Sequence, residues 1–140
     1  MQPGRRFRSL FWIACLLLIL PQCSEKKSAD YVKEGFQFIE EQNFPRAETS
    51  FKQALGKNPK NSQAHYGLGG IYNAQERYPE AEEAFKKALR NDPTHIDAHY
   101  SLGYTYEQMG KNDLAEKHFK IYKRLKAKYA ELMNEGQPAS

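Results

Sequence analysis

The nine residues Ala64-His65-Tyr66-Gly67-Leu68-Gly69-Gly70-Ile71-Tyr72 return 34 positions later as Ala98-His99-Tyr100-Ser101-Leu102-Gly103-Tyr104-Thr105-Tyr106, with six of the nine places identical. No other feature limits the fold as strongly. A period of this length holds a single supersecondary unit, which cannot bury its own apolar face, so successive units must stack to make a core. Pro59 and Pro93 keep the same step of 34. Counting back from them divides the chain into units at 28–61, 62–95 and 96–129.

Within each unit, apolar residues recur at three- and four-residue spacing, as amphipathic helices require. Gly35, Gly69 and Gly103 stand in the first half of their units, and Ala47, Ala81 and Ala115 in the second. Small residues at both places predict a close crossing of two helices. Phe51, Phe85 and Phe119 are expected to fill the space between those helices and the next unit. Pro45 and Pro79 suit the first turn of each second helix, where a missing N–H costs nothing. Asn58-Pro59 and Asp92-Pro93 should end those helices, because a residue before proline avoids the helical region. Thr94 and Asp97 predict a capping-box start to the following helix.

This pattern resembles the tetratricopeptide repeat (TPR): a large residue, Leu, Gly and Tyr in the first helix, then Ala, Phe, Ala and Pro in the second. The second unit carries it as His65, Leu68, Gly69, Tyr72, Ala81, Phe85, Ala88 and Pro93. The third carries His99, Leu102, Gly103, Tyr106, Ala115 and Phe119, and the first Tyr31, Gly35, Phe38, Ala47, Phe51, Ala54 and Pro59. The resemblance implies an all-α, right-handed α-solenoid of three helix–turn–helix units with a long C-terminal capping helix. Glu34 stands where Leu68 and Leu102 stand, so the first unit is the least typical, as terminal repeats often are. Tyr122 replaces Ala54 and Ala88, and Ala127 replaces the proline. The last helix is therefore expected to run from Asn112 to Met133. Lys117, Lys120, Lys123, Arg124, Lys126 and Lys128 should give it a solvated basic face. Residues 130–140 are expected to hold the end of that helix and a loose tail.

By the same resemblance, the first helices line a concave groove that presents Val32, Phe36, Ile39, Tyr66, Gly70, Asn73, Tyr100, Tyr104 and Glu107. Such a surface suits an extended peptide or an amphipathic helix, with tyrosine as a favoured anchor. One subgroup of the family grips a C-terminal carboxylate with cations and asparagine. The matching positions here are Val32, Phe36, Gly67, Asp97 and Ser101, which supply no cation, so that mode is not expected.

Other constellations read as structural. His95, Asp97 and His99 sit near one another, but His99 shares its repeat position with His65, where a large ring packs; no metal is expected. Gly67-Leu68-Gly69-Gly70 lies inside a helical pattern with no preceding strand and no following Gly-Lys-Ser/Thr, so no nucleotide and no cofactor is expected. No catalytic constellation is visible, and short helical hairpins offer no deep pocket; the chain is expected not to be an enzyme. The net charge is +4, but without Arg5, Arg6 and Arg8 the chain keeps 18 basic and 17 acidic residues. That balance does not make the clustered basic surface that nucleic acid needs.

Those three arginines precede an apolar run of 11 residues, Leu10 to Leu20. The run is too short to span a bilayer, which takes roughly 20 residues, and has the form of an export signal over residues 1–22. Leu20-Pro21-Gln22-Cys23 resembles a bacterial lipobox, which implies acylation of Cys23. Leu20 fits that motif and Gln22 departs from it, since a small residue is usual before the cysteine. An ordinary cleaved signal, or a short anchor with Cys23 idle, is the alternative. Residues 23–27 read as a tether. Lipidation implies a bacterial cell-envelope protein anchored to a membrane and facing the periplasm, with Ser24 favouring the outer membrane. The expected function is a lipid-anchored, non-catalytic adaptor or assembly factor that binds a partner protein. A self-associating scaffold and an accessory subunit of an envelope enzyme are the alternatives.

Overall fold

The computed structural model describes residues 25–135, and among these there are six α-helices and no strand. Helices α1 (Ser28–Glu40) and α2 (Phe44–Lys57) make one hairpin. Helices α3 (Ser62–Ala74) and α4 (Tyr78–Asn91) make a second, and α5 (Ile96–Gln108) and α6 (Asn112–Glu135) a third. The expected all-α stack is present, and the last helix is ten residues longer than α4. The signal, Cys23 and the tail from residue 136 lie outside the described residues.

Each hairpin turns in the same way. One residue takes the left-handed conformation: Gln42 (φ 57°), Glu76 (φ 59°) and Gly110 (φ 71°), again 34 apart. The amide after it donates back into the first helix, from Asn43 to the Phe38 carbonyl at 2.8 Å, Arg77 to Tyr72 at 2.9 Å and Lys111 to Tyr106 at 2.8 Å. This is a Schellman-type C-terminus, in which glycine is the unstrained choice. A side chain in that conformation costs about 1 kcal/mol. Glu76→Gly is therefore expected to raise the unfolding free energy by about 1 kcal/mol in a urea titration, although the Glu76 side chain is exposed. No gain would show that the turn is strain-free.

Pro45 and Pro79 do occupy the first turns of α2 and α4, and Asn58 and Asp92 cap their ends. The start of α5 differs from expectation. Its N-cap is His95, whose Nδ1 accepts the Ala98 amide at 3.2 Å. Thr94 instead donates to Asp92 through its amide and hydroxyl, at 3.0 and 2.7 Å. An Asx-type turn at Asp92 uses the threonine before the helix can.

Packing inside each hairpin places the phenylalanines as expected, between the helices. Ala47, Ala81 and Ala115 are buried, but the space left by the glycines is taken by phenylalanine rings. A Cβ on Gly35 would lie 2.5 Å from Phe51, on Gly69 2.6 Å from Phe85, and on Gly103 2.7 Å from Phe119. The ring, not the alanine, sets the spacing of the two helices.

Within each of the first two hairpins the same contact recurs. The Ser28 hydroxyl donates to the Ala54 carbonyl at 2.9 Å, and the Ser62 hydroxyl to Ala88 at 3.0 Å. Glu82 of α4 accepts from Lys86 at 2.6 Å and, across the junction, from Lys111 at 2.8 Å. Partial burial opposes its ionisation, but the two lysines hold its carboxyl below the usual range. Successive first helices touch, α1 with α3 and α3 with α5, whereas no such contact joins α2 to α4 or α4 to α6. The stack therefore curves toward its first helices, and their free faces line the inside of the curve.

Candidate peptide groove

Along that inner face the side chains change from half-buried to exposed. In α1, Val32, Phe36 and Ile39 are half-buried against the first core cluster. Phe36 meets Phe51 edge-on at 5.1 Å between centroids and Tyr66 at 6.3 Å. In α3, Tyr66 also packs on Phe85 at 5.8 Å and on His95 at 4.7 Å. Burial raises the pKa of its phenol. Gly70 is exposed, and a Cβ there would meet nothing within 4 Å. It leaves a gap in the groove floor between Tyr66 and Asn73. Asn73 is half-buried, with its side-chain amide 3.1 Å from the Thr105 hydroxyl, so part of it serves the α3–α5 junction.

In α5 the groove opens. Tyr100 is 51% exposed and Tyr104 42% exposed. Tyr100 lies 5.7 Å from Phe119 and 5.2 Å from Tyr122, so α6 supplies the last aromatic of the row. Sequence reasoning left Tyr122 out of the groove, although its departure from the alanine of the other units was the available signal. Glu107 is exposed where the groove meets α6.

The structure assigns the histidines positions behind this face. His65 and His99 bond through Nε2 to the carbonyls of Pro59 (2.9 Å) and Pro93 (3.1 Å). A carbonyl only accepts, so both rings carry their proton on Nε2. His99 Nδ1 is then an acceptor, and His118 Nδ1 of α6 lies 3.0 Å from it and must donate. Residues 50 and 84, the counterparts of His118, are Ser and Ala. That pairing was not read from the sequence.

Burial, then the neighbouring His99, then Lys117 push the His118 pKa down to about 4, and burial lowers those of His65 and His95. An unfolded histidine titrates near 6.5. The folded state thus binds fewer protons than the unfolded state between those two values. Stability is expected to be full above pH 6.5 and to fall as the pH drops toward 4. His118→Asn should flatten part of that decline in Tm-versus-pH curves, and an unchanged slope would remove His118 from the account.

Three stacked hairpins with a ring-lined inner face define a helical-repeat module for binding other proteins. The chain is a member of the tetratricopeptide repeat family: two family profiles, each described as tetratricopeptide repeat, match residues 38–96 and 84–117. Solved structures agree in fold. The second TPR domain of Spaghetti (RPAP3), bound to the HSP90 peptide SRMEEVD, has a TM-score of 0.68 at 20% identity, covering 71% of this chain and 93% of that one. MamA has a TM-score of 0.69 at 28% identity, covering 75% of this chain; the match spans 61% of the MamA chain. The TPR2B domain of yeast Sti1, in complex with an Hsp70 peptide, has a TM-score of 0.70 at 14% identity, covering 74% of this chain and 83% of that chain. No curated protein sequence matches it.

Proposed function

We propose that this chain is a non-catalytic adaptor that holds an apolar peptide or an amphipathic helix of a partner protein against its first helices. The observation that carries the reading is the exposure of Tyr100 and Tyr104, 51% and 42%, on the face shared with Phe36 and Tyr66. Large rings left open on a rigid face supply binding area at low entropic cost. The domain of Spaghetti carries its bound peptide on the same fold. That peptide ends in acidic residues, whereas Val32, Phe36, Gly67, Asp97 and Ser101 supply no cation here, which favours an apolar segment over an acidic tail. Acylation of Cys23 would hold the module at a bacterial membrane facing the periplasm, with the outer membrane favoured.

Tyr100→Ala combined with Tyr104→Ala tests the groove, because both rings are exposed enough to be removed without opening the core. The full chain captures its partner from envelope membranes, and the double variant is expected to bind that partner at least tenfold more weakly, about 1.4 kcal/mol, with unchanged helicity by circular dichroism. Equal capture would discard the groove. Mass spectrometry of the mature N-terminus tests the anchor, and an unmodified Cys23 would discard it.

A further inference from the structure

Internal junctions of the stack close on a leucine pair. Leu55 of α2 and Leu68 of α3 line one junction, and Leu89 of α4 and Leu102 of α5 the next. The step of 34 places Lys123 after Leu55 and Leu89, and Glu34 before Leu68 and Leu102. The two free ends of the stack thus carry opposite charges at the two positions that would meet if α1 followed α6. Lys123 lies in an open slot of about 560 Å³, whose lining includes Ala115, Glu116, Phe119 and Lys120. Their counterparts Ala81, Glu82 and Phe85 face α5 at the internal junction. The slot is the place where a further first helix would lie.

We infer that the occupant is α1 of a second copy of this chain, docked head to tail so that Glu34 of one copy meets Lys123 of the other. Charge supports this choice beyond the one pair. Residues 117–128 hold six Lys and Arg and no acid, whereas residues 28–41 hold four acids and one lysine. Glu34 pairs with Lys26 of its own chain and keeps a side-chain exposure of 36%, so it is open to a second cation. Lys123 has no ion-pair partner among the described residues. A contact between two different surfaces leaves each end open to a further copy, and because it continues the step of the stack, copies add in a row. Exposed charges are screened by salt, so the row shortens as ionic strength rises. The docked copy would lie over Tyr100 as the next unit lies over Tyr66, but Glu34 and Lys123 are not groove residues, so the charge-swap test is read separately from the test of the groove.

A charge-swap mixing experiment decides it. The full chain is divided into donor- and acceptor-labelled populations in mild detergent at low salt, and energy transfer is read against concentration. Wild type is expected to show transfer that rises with concentration and falls at least tenfold in 0.5 M salt, on the order of one Debye-length reduction to a few Å. Glu34→Lys alone places two cations at the contact, and Lys123→Glu alone places two anions, so each variant should lose the transfer. Their equimolar mixture restores an opposite pair at every contact and should recover it, as should the double variant E34K/K123E. Circular dichroism of each variant checks that the helices remain. Three results would overturn the inference: no transfer in wild type, which would leave the slot to a partner of another sequence; transfer that persists in both single variants; or a mixture that stays dark.

Discussion

Phe85→Ala is expected to remove about 3–5 kcal/mol of stability, the usual cost of emptying a buried aromatic site. Phe85 is 0% exposed and belongs to the cluster that joins Ala81 of its own helix to Leu102 and Tyr106 of the next hairpin. Truncation therefore cuts a contact within the second unit and the junction to the third at once. A domain of this size has a total stability of about 5–15 kcal/mol, so a large share would go. The same substitution at Phe119 is expected to cost less, about 1–2 kcal/mol, because that ring is half-buried at the free end, with no further unit beyond it. Urea titrations of both variants give the comparison. Equal losses at 85 and 119 would contradict a core built by stacking, since the position within the unit is the same and only the neighbour differs.

That difference between equivalent positions also marks the limit of what the sequence made legible. Period, prolines and phenylalanines told where the helices run, because each acts through chain geometry or bulk that is the same in every unit. The fate of the groove tyrosines did not follow. Tyr66 and Tyr100 hold one repeat position, yet Tyr66 is half-buried against His95 and Tyr100 is 51% exposed. Tyr66 is covered by the N-cap of the next unit, and Tyr100 has no next unit, so it leans on Tyr122. Burial of a repeat residue depends on its neighbour in the stack, which no single unit encodes. The His99–His118 bond was hidden for a related reason. It joins a position shared with His65 to one occupied by Ser50 and Ala84 elsewhere, so the period pointed away from it. The glycines and phenylalanines were legible together, because each ring fills the space that the glycine of its own unit leaves open.

Within α3, two glycines three residues apart are expected to respond to substitution with opposite signs. Gly70 is exposed and a Cβ there meets nothing within 4 Å, so Gly70→Ala should stabilise the protein by about 1 kcal/mol through helix propensity alone. Gly67→Val should destabilise it by about 3 kcal/mol. A Cβ at 67 would lie 2.3 Å from the Phe51 ring, and that ring has no direction of retreat. On its other side a Cβ at Gly35 would already lie 2.5 Å away, and Phe36 meets it edge-on at 5.1 Å. Overpacking a site confined in this way costs about 1–3 kcal/mol, and the branched valine cannot rotate its methyl groups out of the crowd. The third unit carries Ser101 at the position of Gly67, and the counterpart of Phe36 in the unit before it is Gly70, which has no ring. It follows that Phe36→Gly should relieve part of the Gly67→Val loss: the double variant is expected to be more stable than the sum of the two single changes, by about 1 kcal/mol in a double-mutant cycle. A cycle that closes to zero would mean that Phe36 does not confine Phe51.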